Sequence, residues 1–144
     1  RDGLLKTRWP GRLEIMNKNP FFLIDGAHNV EGANALADAL KKYFLGKRIF
    51  FILGVLKDKD FKSMIEAVAP LAHCFITVTP NSDRALTADE LSKILARYCN
   101  NVYVSDTIEA AIKTSLELAS QDDVICAFGS LYYIGEVRKH FKHL

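Results

Sequence analysis

The sequence predicts an α/β fold with a largely parallel sheet, because short apolar runs alternate with longer segments of helical periodicity. Most of the runs are rich in β-branched or aromatic residues and lack polar alternation, which is typical of strands that are buried on both faces of a parallel sheet. Residues between the runs show the i, i+3, i+4, i+7 spacing of amphipathic helices. The runs lie, in chain order, at residues 21–24, 49–53, 74–78, 102–104 and 124–128.

The predicted helices carry start and stop signals. Thr87 and Glu90 have the spacing of a capping box, and Gly46 follows the first helix, where a C-terminal glycine is typical. A final helix is predicted from about Ser130 to about Phe141. The positions with helical spacing are Ala33, Leu36, Ala37, Leu40 and Phe44; Phe61, Met64, Ile65 and Val68; Leu91, Ile94, Leu95 and Tyr98; Ile108, Ala111, Ile112 and Ser115; and Ile134, Val137 and Phe141.

The order of these elements predicts the architecture. Strand-then-helix units connect by right-handed crossovers, so five of them predict a doubly wound, mostly parallel, Rossmann-like sheet with helices on both faces. A further strand is expected around residues 13–16, which gives a sheet of about six strands. No linker or low-complexity tract interrupts the pattern, so residues 1–144 are predicted to form one domain.

The composition argues against several classes of protein. Apolar residues make up 49% of the chain and charged residues 25%, as in soluble globular proteins. The net charge is only +2 and the basic residues are scattered, whereas nucleic-acid binders concentrate Lys and Arg on one face. No apolar run approaches the roughly 20 residues that span a bilayer. The three cysteines lack C-x-x-C spacing, so we expect no disulfides, no metal site and a cytoplasmic setting.

Polar residues follow successive predicted strands, at the edge where this class of fold binds ligands. Residues 25–29 (DGAHN) come after the first strand, and residues 54–60 (GVLKDKD) come after the second. Residues 79–84 (TPNSDR) follow the third strand, and residues 129–130 (GS) follow the fifth. Glycine, hydroxyl, carboxylate and cationic groups therefore gather at one edge, which predicts a small-molecule site there.

The DGAHN loop is the most informative of these segments. Asp25 could accept two hydrogen bonds from a vicinal diol such as a ribose, and His28 could donate to a ligand. Alternatively, Asp25 and Asn29 simply cap the following helix, and His28 is a solvated loop residue.

The other candidates for binding a ligand are cationic side chains and a serine. Lys57 and Lys59 stand at a predicted helix start, where the dipole disfavours cations, which indicates an anionic ligand or, alternatively, a solvated face. Arg84 could pair with a ligand carboxylate or form a surface salt bridge. Ser130 could bind an anion at a helix start or act only as an N-cap. Arg12 has no local partner that explains it.

Two phosphate-binding motifs are absent from the sequence. It contains neither the P-loop pattern G-x-x-x-x-G-K-[ST] nor the dinucleotide pattern G-x-G-x-x-G. By itself, this chain therefore lacks the parts for phosphoryl transfer.

Five segments of the chain form an ordered set of motifs. They are residues 9–14 (WPGRLE), 25–29 (DGAHN), 54–60 (GVLKDKD), 84–86 (RAL) and 128–132 (FGSLY). In this order they resemble the motifs of folylpolyglutamate and dihydrofolate synthases, which belong to the Mur ligase superfamily. The resemblance implies the C-terminal domain of an ATP-dependent ligase that joins L-glutamate to dihydropteroate or folate through an acyl phosphate. It also implies that the P-loop and the Mg²⁺ ligands lie in an N-terminal domain absent from this chain, so we expect the isolated domain to be inactive.

The resemblance assigns roles to individual residues. Arg12 would contact the ATP phosphates, and His28 would lie near the nucleotide or the incoming glutamate, so both are candidate catalytic residues. Asp25 would hold the ribose of the nucleotide. The glutamate carboxylates would be bound by Lys59, Arg84 and Ser130.

Two alternatives to this function stay open at the level of sequence. The chain could be a freestanding nucleotide- or amino-acid-binding module, or it could belong to a Mur-type ligase that acts on cell-wall peptides. Within the folate enzymes, the sequence fits a dihydrofolate synthase, a folylpolyglutamate synthase or a bifunctional enzyme equally.

Overall fold

In the computed structural model, which describes residues 13–142, six strands form one sheet with helices on both faces. The strands are β1 (Glu14–Lys18), β2 (Phe21–Ile24), β3 (Ile49–Leu53), β4 (Ala72–Thr77), β5 (Val102–Val104) and β6 (Val124–Phe128). The helices are α1 (Val30–Tyr43), α2 (Phe61–Val68), α3 (Ala88–Leu95), α4 (Ile108–Leu118) and α5 (Leu131–Lys142), and a 3₁₀ turn (Ala69–Leu71) follows α2. None of the helices in this part of the chain is long and apolar enough to cross a membrane.

The strands lie in the order β1-β2-β6-β3-β4-β5. β1 and β2 are antiparallel, and every other neighbouring pair is parallel. The predicted α/β class and the mostly parallel sheet of six strands are therefore confirmed.

Side chains of the central strands alternate between two hydrophobic cores. Leu23 of β2 and Phe51 of β3 pack in the core that α1, α2 and α3 cover. Phe22 and Ile52, their neighbours along the same strands, pack in the core that α4 and α5 cover. Because both faces of these strands are buried, each strand is a continuous apolar run in the sequence.

The helix boundaries follow the capping residues. Asn29 accepts a hydrogen bond from a backbone amide of the first turn of α1 at 2.8 Å, and Thr87 and Glu90 form both hydrogen bonds of a capping box at α3. Gly46 has a φ of 81° in the turn after α1, a backbone conformation that glycine adopts without strain. α3 ends at Leu95, before the last residue with helical spacing, Tyr98. α5 begins one residue later than predicted and also ends one residue later.

The edge strands differ from the sequence prediction. β5 is an edge strand whose Tyr103 and Val104 remain 42% and 48% exposed, so the burial on both faces that most of the runs indicate does not extend to this strand. The expected sixth strand is present as β1, but it forms the opposite edge and is the one antiparallel strand among the described residues. An apolar run does not reveal whether a strand has a neighbour on each side, and this is why the pattern overstates the burial of β5.

Cys74 and Cys126 lie in the cores, as predicted. Burial raises the pKa of the Cys74 thiol to about 12 and raises the pKa of Cys126 well above its ordinary value. Because the thiolate is the reactive form, both cysteines are packing residues.

An ion pair joins the amino ends of β3 and β6. Arg48 donates from Nε to Oδ1 of Asp123 (3.0 Å) and from Nη2 to Oδ2 (2.7 Å), and the Ser120 amide also donates to Oδ2 (2.7 Å). Asp123 is buried, and these hydrogen bonds, led by that from Arg48, lower its pKa. The pair therefore stabilises the edge of the sheet opposite to the one that carries the predicted site.

An Asp123→Ala variant is expected to lose about 1–3 kcal/mol of unfolding free energy at pH 7, because Arg48 loses its partner and a backbone amide is left unsatisfied. Urea denaturation measures the change. Asp89→Ala is the control: it removes a carboxylate from an exposed pair with Lys93 (3.4 Å) and should cost less than about 1 kcal/mol.

The same pair predicts a pH dependence. Because the folded-state pKa of Asp123 lies below the unfolded value, its contribution is complete above the unfolded pKa of about 4 and is lost as the pH falls through the folded pKa. The difference in unfolding free energy between the native chain and Asp123→Ala should therefore narrow below about pH 4. A difference that stays constant down to about pH 2 would contradict this account.

Candidate functional site

Four loops meet at the carboxyl edge of the central strands. β2, β6, β3 and β4 are adjacent and parallel, so the loops that follow them leave the sheet on the same side. The Asp25 amide donates to the Ala127 carbonyl (3.0 Å), and the Gly129 amide donates to the Ala27 carbonyl (2.9 Å). The loops after β2 and β6 are therefore joined along their backbones.

The loop after β2 holds Asp25 and His28 by internal hydrogen bonds. Oδ1 of the buried Asp25 accepts from the Ala27 amide at 2.8 Å. Nδ1 of the half-buried His28 lies 2.9 Å from the Gly26 carbonyl oxygen. Because a carbonyl oxygen can only accept, this contact requires the proton on Nδ1 and leaves the lone pair of the neutral ring on Nε2. Asn29 caps α1 whereas Asp25 shapes the loop, so the helix-capping alternative holds for Asn29 alone.

Backbone contacts also join the loops after β3 and β4. The Leu86 amide donates to the Val55 carbonyl at 3.0 Å, and the Lys57 amide donates to the Arg84 carbonyl at 2.7 Å. An antiparallel bridge lies between these two contacts. The backbone around Arg84 is therefore fixed against the loop that carries the two predicted lysines.

The two lysines of that loop have different surroundings. Lys59 lines a cleft that His28 and other candidates share. Lys57 does not line this cleft, and its charge acts on Glu90 instead. The pKa of Glu90 is lowered first by hydrogen bonds from Thr87 and only more weakly by Lys57. Of the two lysines, Lys59 is therefore the candidate for binding an anion.

Arg84 forms a side-chain network with Asp58 and Tyr132. Its Nη1 donates to Oδ2 of Asp58 at 2.7 Å, and its Nη2 donates to the Tyr132 hydroxyl at 3.1 Å. The guanidinium carbon lies 5.9 Å from the centroid of the Tyr132 ring. The hydrogen bonds, first to Tyr132 and then to Asp58, raise the pKa of Arg84. The surface salt bridge that the sequence allowed is present, but Arg84 also lines the cleft.

Gly129 and Ser130 set the start of α5. Gly129 has a φ of 115°, and a Cβ atom there would overlap the carbonyl oxygen of Gly54. Ser130 is 3% exposed, and its Oγ accepts from the Tyr132 amide at 3.1 Å, as an N-cap does. The N-cap alternative is therefore right for Ser130. Because a hydroxyl that accepts a hydrogen bond still has a proton to donate, capping leaves Ser130 able to bind an anion.

The cleft brings together four of the six predicted site residues. Its lining consists of His28, Leu56, Lys59, Arg84, Gly129, Ser130, Leu131 and Tyr132. Asp25 belongs to the same loop as His28, but it is buried and does not line the cleft. Arg12 lies outside the described residues. Two cations, an imidazole and a hydroxyl make the cleft suited to an anionic ligand that also offers hydrogen-bond donors.

Tyr132 lines this cleft and Asp58 contacts Arg84, although neither residue was predicted individually as a site residue. Both lie in segments that carry the family resemblance, GVLKDKD and FGSLY, which was the available signal. Their contacts with Arg84 bridge 26 and 48 residues of sequence, and no local pattern indicates contacts over such separations.

Comparison with known proteins identifies the family. Residues 11–131 match the family described as Mur ligase, glutamate ligase domain. The chain belongs to this family. This glutamate ligase domain is 34% identical over 142 residues to the dihydrofolate synthase/folylpolyglutamate synthase of Bacillus subtilis, and 32% identical over 140 residues to the folylpolyglutamate synthase of Lacticaseibacillus casei. The alignments cover 99% and 96% of this chain but 33% and 31% of those relatives.

Solved structures agree with this assignment. Mycobacterium tuberculosis folylpolyglutamate synthase complexed with ADP and AMPPCP matches this glutamate ligase domain with a TM-score of 0.82 at 30% identity. The match covers 94% of this chain and 33% of that one. The domain therefore spans about a third of the length of the relatives it matches. The resemblance that the motifs indicated is confirmed.

Proposed function

We propose that this glutamate ligase domain, over residues 1–144, is the C-terminal domain of an ATP-dependent folylpolyglutamate/dihydrofolate synthase that acts with an N-terminal P-loop domain of the same enzyme. The observation that carries the proposal is the cleft at the carboxyl edge of the sheet. The loops after β2, β3, β4 and β6 supply it with His28, Lys59, Arg84 and Ser130, one residue from each loop.

The proposed reaction joins the amino group of L-glutamate to a carboxyl group of dihydropteroate or folate. A carboxylate oxygen of the folate substrate bonds to the γ-phosphorus of ATP, and ADP leaves. The glutamate nitrogen then attacks the acyl carbon, the bond from that carbon to the phosphate oxygen breaks, and phosphate leaves while the nitrogen loses protons. Most of the acceleration in such a reaction comes from holding the amine against the acyl phosphate.

The cleft residues bind the incoming glutamate in this proposal. The two carboxylates of glutamate match the two cations, Lys59 and Arg84, in number and sign. The hydroxyl of Ser130 adds a neutral donor at the start of α5. We assign these three residues to substrate binding.

The imidazole of His28 acts on the amine of glutamate. Its Nδ1 donates a hydrogen bond to the Gly26 carbonyl, so the Nε2 of the neutral ring can accept a hydrogen bond from that amine. Nε2 takes one proton from the ammonium group before the attack, and the second proton that the nitrogen loses as the amide forms goes to the released phosphate or to water. A residue with this role is needed because the ammonium form of glutamate is not a nucleophile.

The nucleotide is assigned to Asp25 and Arg12 by the family resemblance. Asp25 stands at the carboxyl end of β2, the position from which a carboxylate can reach the ribose of a bound nucleotide, and Arg12 would contact the phosphates. Closure of the P-loop domain onto this half-site would complete the active site only when both substrates are bound, which limits wasteful hydrolysis of ATP.

The family resemblance assigns the Mg²⁺ ligands to the N-terminal domain. Between residues 13 and 142, no group of three or more His, Cys, Asp or Glu side chains is arranged to hold a metal ion. Bound in the N-terminal domain, the ion would neutralise charge on the ATP phosphates.

Phosphate release tests the proposed function. The chain alone should release no phosphate from ATP in the presence of glutamate and dihydropteroate, whereas the same chain joined to its N-terminal domain should do so at a rate that depends on both. Release that requires a cell-wall peptide would instead identify a Mur-type peptide ligase. Turnover by the chain alone would contradict the proposal.

A further inference from the structure

The guanidinium of Arg84 is held at two positions by side chains from the loop after β3 and from α5. Asp58 of the loop after β3 accepts from Nη1, and Tyr132 at the start of α5 accepts from Nη2. The Tyr132 ring also lies against the guanidinium. Since a guanidinium is planar, two fixed nitrogens define its orientation, and its remaining N–H groups keep constant directions.

The backbone of Arg84 is fixed as well. Its carbonyl accepts the Lys57 amide at 2.7 Å, and its amide donates to the Ser82 hydroxyl at 3.2 Å. Hydrogen bonds therefore restrain both the backbone of Arg84 and the guanidinium at the end of its side chain. A freely rotating surface arginine would lose several rotatable bonds on binding a ligand, whereas this one has already lost them.

The network contributes little to the stability of the fold. The side chains of Arg84 and Asp58 are 50% and 48% exposed, and water and dissolved salt screen an ion pair that is so exposed. The restraint on the Arg84 guanidinium therefore affects the binding of a ligand in the cleft more than it affects stability. Because these contacts add so little stability, Arg84, Asp58 and Tyr132 can each be replaced without unfolding the domain.

We propose that Asp58 and Tyr132 are positioning residues that orient the Arg84 guanidinium toward one carboxylate of the incoming amino acid. This inference rests on the proposed function, because it takes glutamate as the occupant of the cleft. Asp58 acts as a fixed counter-ion that Arg84 keeps when glutamate binds. If Asp58 instead competed with glutamate for Arg84, removal of the Asp58 carboxylate would lower the KM for glutamate.

The test uses the complete ligase that contains this domain, with variants Asp58→Ala and Tyr132→Phe. Each variant should raise the KM for glutamate about tenfold, because a misdirected guanidinium loses most of a charge-assisted hydrogen bond. The KM for ATP should change by less than about twofold. Asp89→Ala, which removes a carboxylate from the exposed pair with Lys93, is the matched control and should leave both constants unchanged.

A double variant, compared with Arg84→Gln alone, separates a positioning role from a general structural one. If Asp58 acts through Arg84, then adding Asp58→Ala to an Arg84→Gln enzyme should have no further effect on the KM for glutamate. Additive effects of the two substitutions would overturn the inference. Thermal denaturation of each variant verifies that the fold is retained.

The outcomes distinguish this inference from the proposed function. An unmodified enzyme that shows no glutamate-dependent phosphate release overturns the proposed function and the inference together. An active unmodified enzyme with an unchanged or lowered KM for glutamate in Asp58→Ala and Tyr132→Phe overturns the inference alone. An equal rise in the KM for ATP and for glutamate also overturns it, because orientation of one side chain would not affect both substrates.

Discussion

A Lys59→Ala variant of the complete ligase is expected to lose about 10- to 100-fold in kcat/KM for glutamate, because a charge-assisted hydrogen bond to a carboxylate contributes roughly 1.5–3 kcal/mol. Lys59 lines the cleft with Arg84, so its removal leaves one cation for two carboxylates. The measurement is steady-state phosphate release at saturating ATP and folate with glutamate varied. The KM for ATP should stay nearly constant.

Lys57→Ala is the matched control for this variant. Lys57 lies two residues away in the same loop and is also exposed, but it does not line the cleft. Its backbone amide, which holds the Arg84 carbonyl, is unaffected by the substitution. An equal loss of kcat/KM in both variants would show that the net charge of the loop matters and that Lys59 has no specific contact with glutamate.

A Gly129→Ala variant is expected to lose about 2–4 kcal/mol of unfolding free energy, because its backbone conformation is strained for any other residue and its Cβ meets backbone. Gly129 has a φ of 115°, and the atom that an added Cβ would overlap is the Gly54 carbonyl oxygen, which cannot rotate away. The loops after β3 and β6 would have to separate. Urea denaturation of the domain and of the variant measures the difference.

Gly135→Ala provides the control for the glycine prediction. Gly135 lies within α5, and an added Cβ there would have no atom within 4 Å. Since alanine is the better helix former, this variant should gain about 0.5–1 kcal/mol. Comparable losses in both variants would contradict the account, because they would show that α5 tolerates no added methyl group and that the contact with Gly54 is not the cause.

Local features of the fold could be predicted from the sequence because each depends on neighbouring residues. The capping box of Thr87 and Glu90 and the N-cap Asn29 form as expected, since caps contact amides two or three residues away. The class of the fold follows from the alternation of apolar runs and helical segments. Which strands become neighbours in the sheet does not follow from this alternation, because most runs are similar in composition. For this reason the exposed edge strand β5 and the antiparallel direction of β1 were not predictable.

Most residues of the candidate site could be predicted from the sequence, but the contacts between their side chains could not. The rule that ligands bind beyond the carboxyl ends of parallel strands brings His28, Lys59, Arg84 and Ser130 to one edge, and the cleft does contain all four. The pairing of Arg84 with Asp58 was not predictable, because it depends on which loops become neighbours when β4 docks beside β3. Long-range pairing of this kind follows from topology.

The most direct test of the central claim is a crystal structure of the complete enzyme with an ATP analogue and L-glutamate. Glutamate is expected in the cleft, with its carboxylates within hydrogen-bonding distance of the Lys59 ammonium and the Arg84 guanidinium, and the Ser130 hydroxyl close by. Glutamate bound elsewhere on the domain, with the cleft empty, would contradict that claim.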